Sequence, residues 1–138
     1  MKKFKKIVAV LLAVATVAVI GSGMIAQAQE REKDYFDGFK VTYSSLGTER
    51  YTKSLTKLVT NRNAVVNLEK DNTSNWIMAT VRNSDNASRG SVYIKEGTRK
   101  TFACSGTRNY KYKLGLKKTN SSGGTTAYLY GSWSPDAY

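Results

Sequence analysis

The chain contains no histidine. Histidine is the side chain that titrates near neutrality, so Ser-His-Asp and Cys-His nucleophiles, imidazole acid–base catalysis and the usual zinc sites are all excluded. Cysteine is almost absent as well. Cys104 stands alone, so no disulfide within the chain can staple the fold. Its place on an alternating run, Thr101-Phe102-Ala103-Cys104-Ser105, marks it as a buried structural thiol. Proline occurs once, at Pro135. No glycine-rich loop closes on Lys-Ser or Lys-Thr, which excludes the common phosphate cradle. Acidic residues are few, 10 against 22 Lys plus Arg. The adjacent carboxylates, Asp34 with Asp37 and Glu69 with Asp71, lie in charged, turn-like sequence where a solvated role is expected. Asp71-Asn72-Thr73-Ser74-Asn75 carries too little charge for a calcium loop. These absences point to a protein that is not an enzyme, with no cofactor, no metal and no catalytic residue.

What is present begins with the amino terminus. Met1 to Lys6 is basic, Ile7 to Ile20 is uncharged and apolar, Gly21-Ser22-Gly23 interrupts it, and Ala26-Gln27-Ala28 has the small-x-small form of a cleavage site. This order predicts a signal peptide over residues 1–28, cut between Ala28 and Gln29. The apolar run falls short of the roughly 20 residues that span a bilayer as a helix, and no second run follows. No transmembrane segment is expected after cleavage. The expected product is secreted, extracellular or cell-wall associated.

Without Lys2, Lys3, Lys5 and Lys6 the 22 basic residues become 18, against 10 acidic ones, a net charge of +8. In an exported protein that charge meets anionic wall polymers or a membrane surface, not nucleic acid. Oligomeric state cannot be read from it.

Residues 29–38 read as a flexible charged tail, 39–134 as one β-sandwich domain and 135–138 as a carboxyl-terminal tail. Alternating apolar residues predict strands at Phe39–Tyr43, Ala64–Lys70, Trp76–Arg82, Val92–Glu96 and Arg99–Ser105, with a less regular edge strand over Tyr51–Thr60. Turn clusters recur about every 8–12 residues. With two more strands at the end, the fold class is all-β, a single antiparallel sandwich of about seven or eight strands.

Those last two strands carry the expected site. In Asn109–Lys118, Tyr112, Leu114 and Leu116 alternate with Lys111, Lys113 and Lys117; in Thr126–Trp133, Ala127 and Leu129 alternate with Tyr128 and Tyr130. The Ser121-Ser122-Gly123-Gly124 loop allows the second run to fold back on the first as a hairpin. Its outer face would then set Lys111, Lys113, Lys117 and Lys118 beside Tyr128 and Tyr130. Amines there pair with phosphates, and tyrosine rings offer stacking area for sugars.

Val92-Tyr93-Ile94-Lys95-Glu96-Gly97, Tyr112-Lys113-Leu114-Gly115 and Tyr130-Gly131-Ser132-Trp133-Ser134-Pro135-Asp136 carry a resemblance over Trp76–Asp136. The segment resembles small exported proteins of Gram-positive bacteria that form a domain-of-unknown-function family. The overall plan is similar to that of lactococcin-type bacteriocins, which are exported, basic β-sandwiches. Neither resemblance implies a catalytic residue. Three functions follow as expectations: binding of anionic cell-envelope components through a basic-aromatic sheet face, a bacteriocin-like antimicrobial role, or a structural or matrix role.

Overall fold

The computed structural model describes residues 30–44 and 47–137. The expected signal peptide and its Ala28–Gln29 cut lie outside them. Nine strands follow one another, with no helix among the described residues. They are β1 (Asp34–Thr42), β2 (Arg50–Tyr51), β3 (Leu55–Thr56), β4 (Ala64–Asp71), β5 (Ile77–Arg82), β6 (Ser88–Ile94), β7 (Thr98–Phe102), β8 (Lys111–Lys118) and β9 (Thr126–Ser134). One sheet has the order β1-β9-β4-β7; the other has β2-β8-β5-β6, with β3 also on β8. Every pairing is antiparallel.

Period-two patterning explains the packing. Ala64, Val66 and Leu68 of β4 and Ala127, Leu129 and Trp133 of β9 share one core with Ile77, Ala79 and Val81 of β5 and Tyr112, Leu114 and Leu116 of β8. Each fully buried aliphatic side chain contributes about 1.5–3 kcal/mol relative to exposure. The fold is therefore the all-β sandwich expected, two antiparallel sheets around one apolar layer.

Four details depart from the expectation. First, β8 and β9 do not form a hairpin. They lie in different sheets, β9 between β1 and β4 and β8 against β2, β3 and β5. The Ser121–Gly124 loop crosses from one sheet to the other. Alternation within each run is compatible with either arrangement, and only the distant partners β1, β4 and β5 decide it.

Second, the first strand begins at Asp34, inside the segment read as a charged tail. Phe36 is buried opposite Gly131, where a Cβ would sit 2.9 Å from the Phe36 ring and 2.0 Å from the Asn67 carbonyl oxygen. The register shifts between Phe36 and Phe39, and Gly38 takes φ 65°. The bulge breaks the alternation that would have exposed the strand to a sequence reading. The charges have partners: Asp34 meets Lys53 at 3.7 Å, and Glu32 accepts the Thr56 amide at 2.5 Å.

Third, Tyr51–Thr60 is not one edge strand but two short pairings on β8. Immediately after β3, Lys57 turns inward and is fully buried. Its ammonium donates to the carbonyls of Arg62 at 2.6 Å and Pro135 at 2.5 Å and meets Asp136 Oδ1 at 3.5 Å. Asp136, equally buried, accepts the amides of Leu58 at 2.7 Å and Val59 at 3.2 Å. Residues expected as a carboxyl-terminal tail thus lock onto the segment after β3.

Fourth, β6 begins at Ser88, ahead of the strand expected at Val92–Glu96. Asn83 Oδ1 accepts the amides of Asp85 at 3.1 Å and Ala87 at 2.8 Å, and this cap turns β5 directly into β6. Pro135 does follow the last strand, as its missing amide requires.

Candidate functional site: a basic-aromatic groove

Residues in and next to β5 and β6 that point away from the core build an aromatic surface feature. Ile77 and Ala79 face inward, so Trp76 and Met78 face outward; Ile94 faces inward, so Tyr93 and Lys95 face outward. The register sets Met78 opposite Tyr93 on one side and Lys117 on the other. Thr119, just past β8, ties this end of the sheet together. Its hydroxyl donates to the Trp76 carbonyl at 2.9 Å, and its amide reaches the same oxygen at 3.4 Å.

Trp76 and Tyr93 are 42 % and 54 % exposed, although each is large enough to be valuable in a core. With Lys100 and Thr119 they line an open cleft of about 420 Å³. A second depression of about 280 Å³, bordered by Tyr43, Met78, Lys117 and Gly47, shares Tyr93 and Thr119 with the first. The two are one groove across the outer face of the five-stranded sheet.

Its charge is positive. Lys95 Nζ lies 5.0 Å and Lys100 Nζ 5.4 Å from the Trp76 ring centroid. Lys100 arrives from β7 of the other sheet, on the same face of that strand as Phe102, and so reaches across the sandwich edge. Exposed cation–π contacts of this kind are worth about 0.5–1 kcal/mol each, enough to hold two ammonium groups beside one indole. No carboxylate lines either depression. Glu96, next to Lys95 in sequence, is engaged by the Ser74 hydroxyl at 2.9 Å. Glu49, which lies over Gly115 farther along the sheet, is engaged bidentately by Arg82 at 2.7 and 2.9 Å.

The residues expected from sequence are distributed differently. Of the six, Lys117 and the buried Lys118 border the groove. Lys111 is exposed opposite Thr56, and Lys113 stacks on Tyr51 with Nζ 4.1 Å from the ring centroid. Lys118 falls in phase with Leu114 and Leu116 and is buried. Its ammonium donates to the carbonyls of Asn120 at 2.8 Å and Ser122 at 2.5 Å, and burial pushes its pKa down. Tyr128 and Tyr130 sit on the outer face of the other sheet, Tyr128 opposite Lys40 and Tyr130 within 5.9 Å of Lys70 Nζ. The expected lysine–tyrosine face is therefore split between the two sides of the sandwich.

Asp71 is buried and spends both carboxylate oxygens on the Thr73 and Asn75 turn. Among the described residues no group of His, Cys, Asp and Glu could hold a metal ion. Cys104 is 2 % exposed, and burial pushes its thiol pKa up. No described helix is long and apolar enough to cross a membrane.

Fold and groove together define a class: an all-β sandwich that presents flat aromatic rings among lysines on one sheet. No family model, curated protein or solved structure matches the chain.

Proposed function

We propose that this is a secreted, non-enzymatic protein that binds anionic cell-envelope components through the groove of Trp76, Tyr93, Lys95, Lys100 and Lys117. The observation that carries the reading is Trp76, a large exposed indole with two lysines held at its ring. An exposed indole and phenol offer stacking faces to the apolar side of a sugar ring. Ammonium groups beside them pair with phosphate oxygens by charge-assisted hydrogen bonds. A polymer in which sugars or polyols alternate with phosphodiesters presents both chemistries at once, and wall teichoic acid is of that kind.

The test is co-sedimentation of the purified protein with isolated cell walls, before and after removal of their teichoic acids, across a salt series. Retention that requires the polymer and falls steeply with salt supports the reading, because exposed charges are screened within a Debye length of about 10 Å at 0.1 M salt. Retention indifferent to polymer and salt overturns it.

A further inference from the structure

The opposite face of the sandwich carries a second basic depression that the groove does not use. Cross-strand register makes it. Tyr35 of β1 pairs with Ser132 of β9, Ser132 with Asn67 of β4, and Asn67 with Arg99 of β7. Phe36, Trp133, Val66 and Leu68 alternate with these residues and lie in the core, so the whole row faces outward. A phenol, a hydroxyl, an amide and a guanidinium thus follow one another across all four strands of the sheet, and every one can donate a hydrogen bond.

The segment ahead of β1 passes over this row. It brings Arg31 and Lys33 to the place where outward-facing Val65 is 5 % exposed. A depression of about 160 Å³ results, with Arg31, Lys33 and Arg99 around it and no carboxylate in its lining. Arg31 is oriented by a hydrogen bond to the Asp136 carbonyl at 3.1 Å. Glu69 takes one amide hydrogen of Asn67 at 3.2 Å from outside the lining. The second hydrogen of that amide completes the row of donors.

We infer that this depression is an oxyanion site for a phosphate or sulfate group, on the face of the sandwich opposite the groove. Three cationic residues bordering a small hollow, with neutral donors beside them, match a tetrahedral anion, whose several acceptor oxygens need donors from different directions. The site does not depend on the function assigned to the groove. If both bind, one molecule holds two polyanion strands on opposite sides and cross-bridges them.

Two measurements test it. In the first, inorganic phosphate and, separately, sodium sulfate are titrated into isotope-labelled protein at low ionic strength. Saturable amide shifts concentrated at Asn67, Arg99, Ser132 and Ser134 are expected. The Lys33→Gln/Arg99→Gln variant, altered only at exposed side chains, should weaken binding about tenfold or more, the scale of one or two lost charge-assisted bonds. A preference for phosphate over sulfate would identify a phosphoryl ligand, and the reverse a sulfuryl one. Shifts that follow every surface cation without saturating, or binding unchanged in the variant, overturn the site. In the second, light scattering is followed as protein is added to a linear polyphosphate. Scattering should pass through a maximum with protein ratio and be lost in the same variant, while a Trp76→Ala variant still binds inorganic phosphate at the Asn67 row. Normal phosphate binding combined with polymer binding indifferent to Trp76 would sink the groove reading and leave this site standing.

Discussion

Asp136 stands two residues from the end of the sequence, yet its loss should be among the most damaging single changes in the domain. Its carboxylate is fully buried, accepts the Leu58 and Val59 amides, and faces a Lys57 ammonium that has no solvent exposure. In Asp136→Ala the two amides lose their acceptor and the ammonium keeps only the Arg62 and Pro135 carbonyls. Removing one partner of a buried pair costs about 3–5 kcal/mol, because the other charge stays buried without compensation. Ordinary domain stability is about 5–15 kcal/mol, so about a fifth of it or more is at stake. With a urea slope of about 1–3 kcal/mol per M, the unfolding midpoint should fall by about 1 M or more. The assay is urea unfolding followed by tryptophan fluorescence. The double variant Lys57→Met/Asp136→Ala should recover part of the loss, since it removes the stranded charge. The wild-type midpoint should also be insensitive to moderate salt, because a buried pair is screened little. An Asp136→Ala midpoint within about 0.5 M of wild type, or a double variant worse than the sum of the singles, would refute the reasoning.

Further outcomes follow from single positions. Gly131→Ala should destabilise by about 2 kcal/mol or more, because its Cβ would lie 2.0 Å from the Asn67 carbonyl oxygen and press on Phe36; thermal unfolding reads this directly. Cys104 should resist a thiol reagent in the native protein and react only as fast as the domain opens, since burial hides it and raises its pKa; labelling at the rate of a free cysteine contradicts this. Burial lowers the Lys118 pKa below its ordinary 10.5, so the unfolded chain holds that proton more tightly than the native one. Its contribution to stability should therefore rise with pH in the interval between the lowered value and 10.5, and Lys118→Met should remove that slope in paired urea titrations at pH 8 to about 10.5.

Much of the fold was legible in the sequence. Ala64-Val65-Val66-Asn67-Leu68 and Ile77–Val81 alternate with little interruption, and β4 and β5 lie where that alternation places them. Strand pairing was less legible. The runs that became β8 and β9 each show the right period, but a short polar loop between two such runs fits a hairpin and a crossing between sheets equally well. β1 was hidden by its bulge and its charges, β6 by polar outward residues such as Arg89 and Ser91. The Lys57–Asp136 pair was illegible because nothing local marks an interior lysine, and its partner is distant in the chain.

The site shows the same division. Outward-facing Trp76 and Met78 alternate with Ile77 and Ala79, and Tyr93 and Lys95 flank Ile94, a pattern that could have pointed to the groove. An indole in an apolar run reads instead as a core residue covered on both sides. Lys100 adds nothing to that pattern, since it reaches Trp76 from a strand of the other sheet. A basic-aromatic face was expected and one exists, but it is built mainly from other residues.

The most direct test compares two charge reversals of equal size by the salt dependence of wall binding. One is Lys95→Glu/Lys100→Glu in the groove; the other is Arg108→Glu/Lys111→Glu on exposed residues away from it. The groove variant should lose retention on teichoic acid-bearing walls at about 0.1 M salt, and the distal variant should retain most of it. Equal loss in the two variants would mean that overall charge, and not the groove, governs binding.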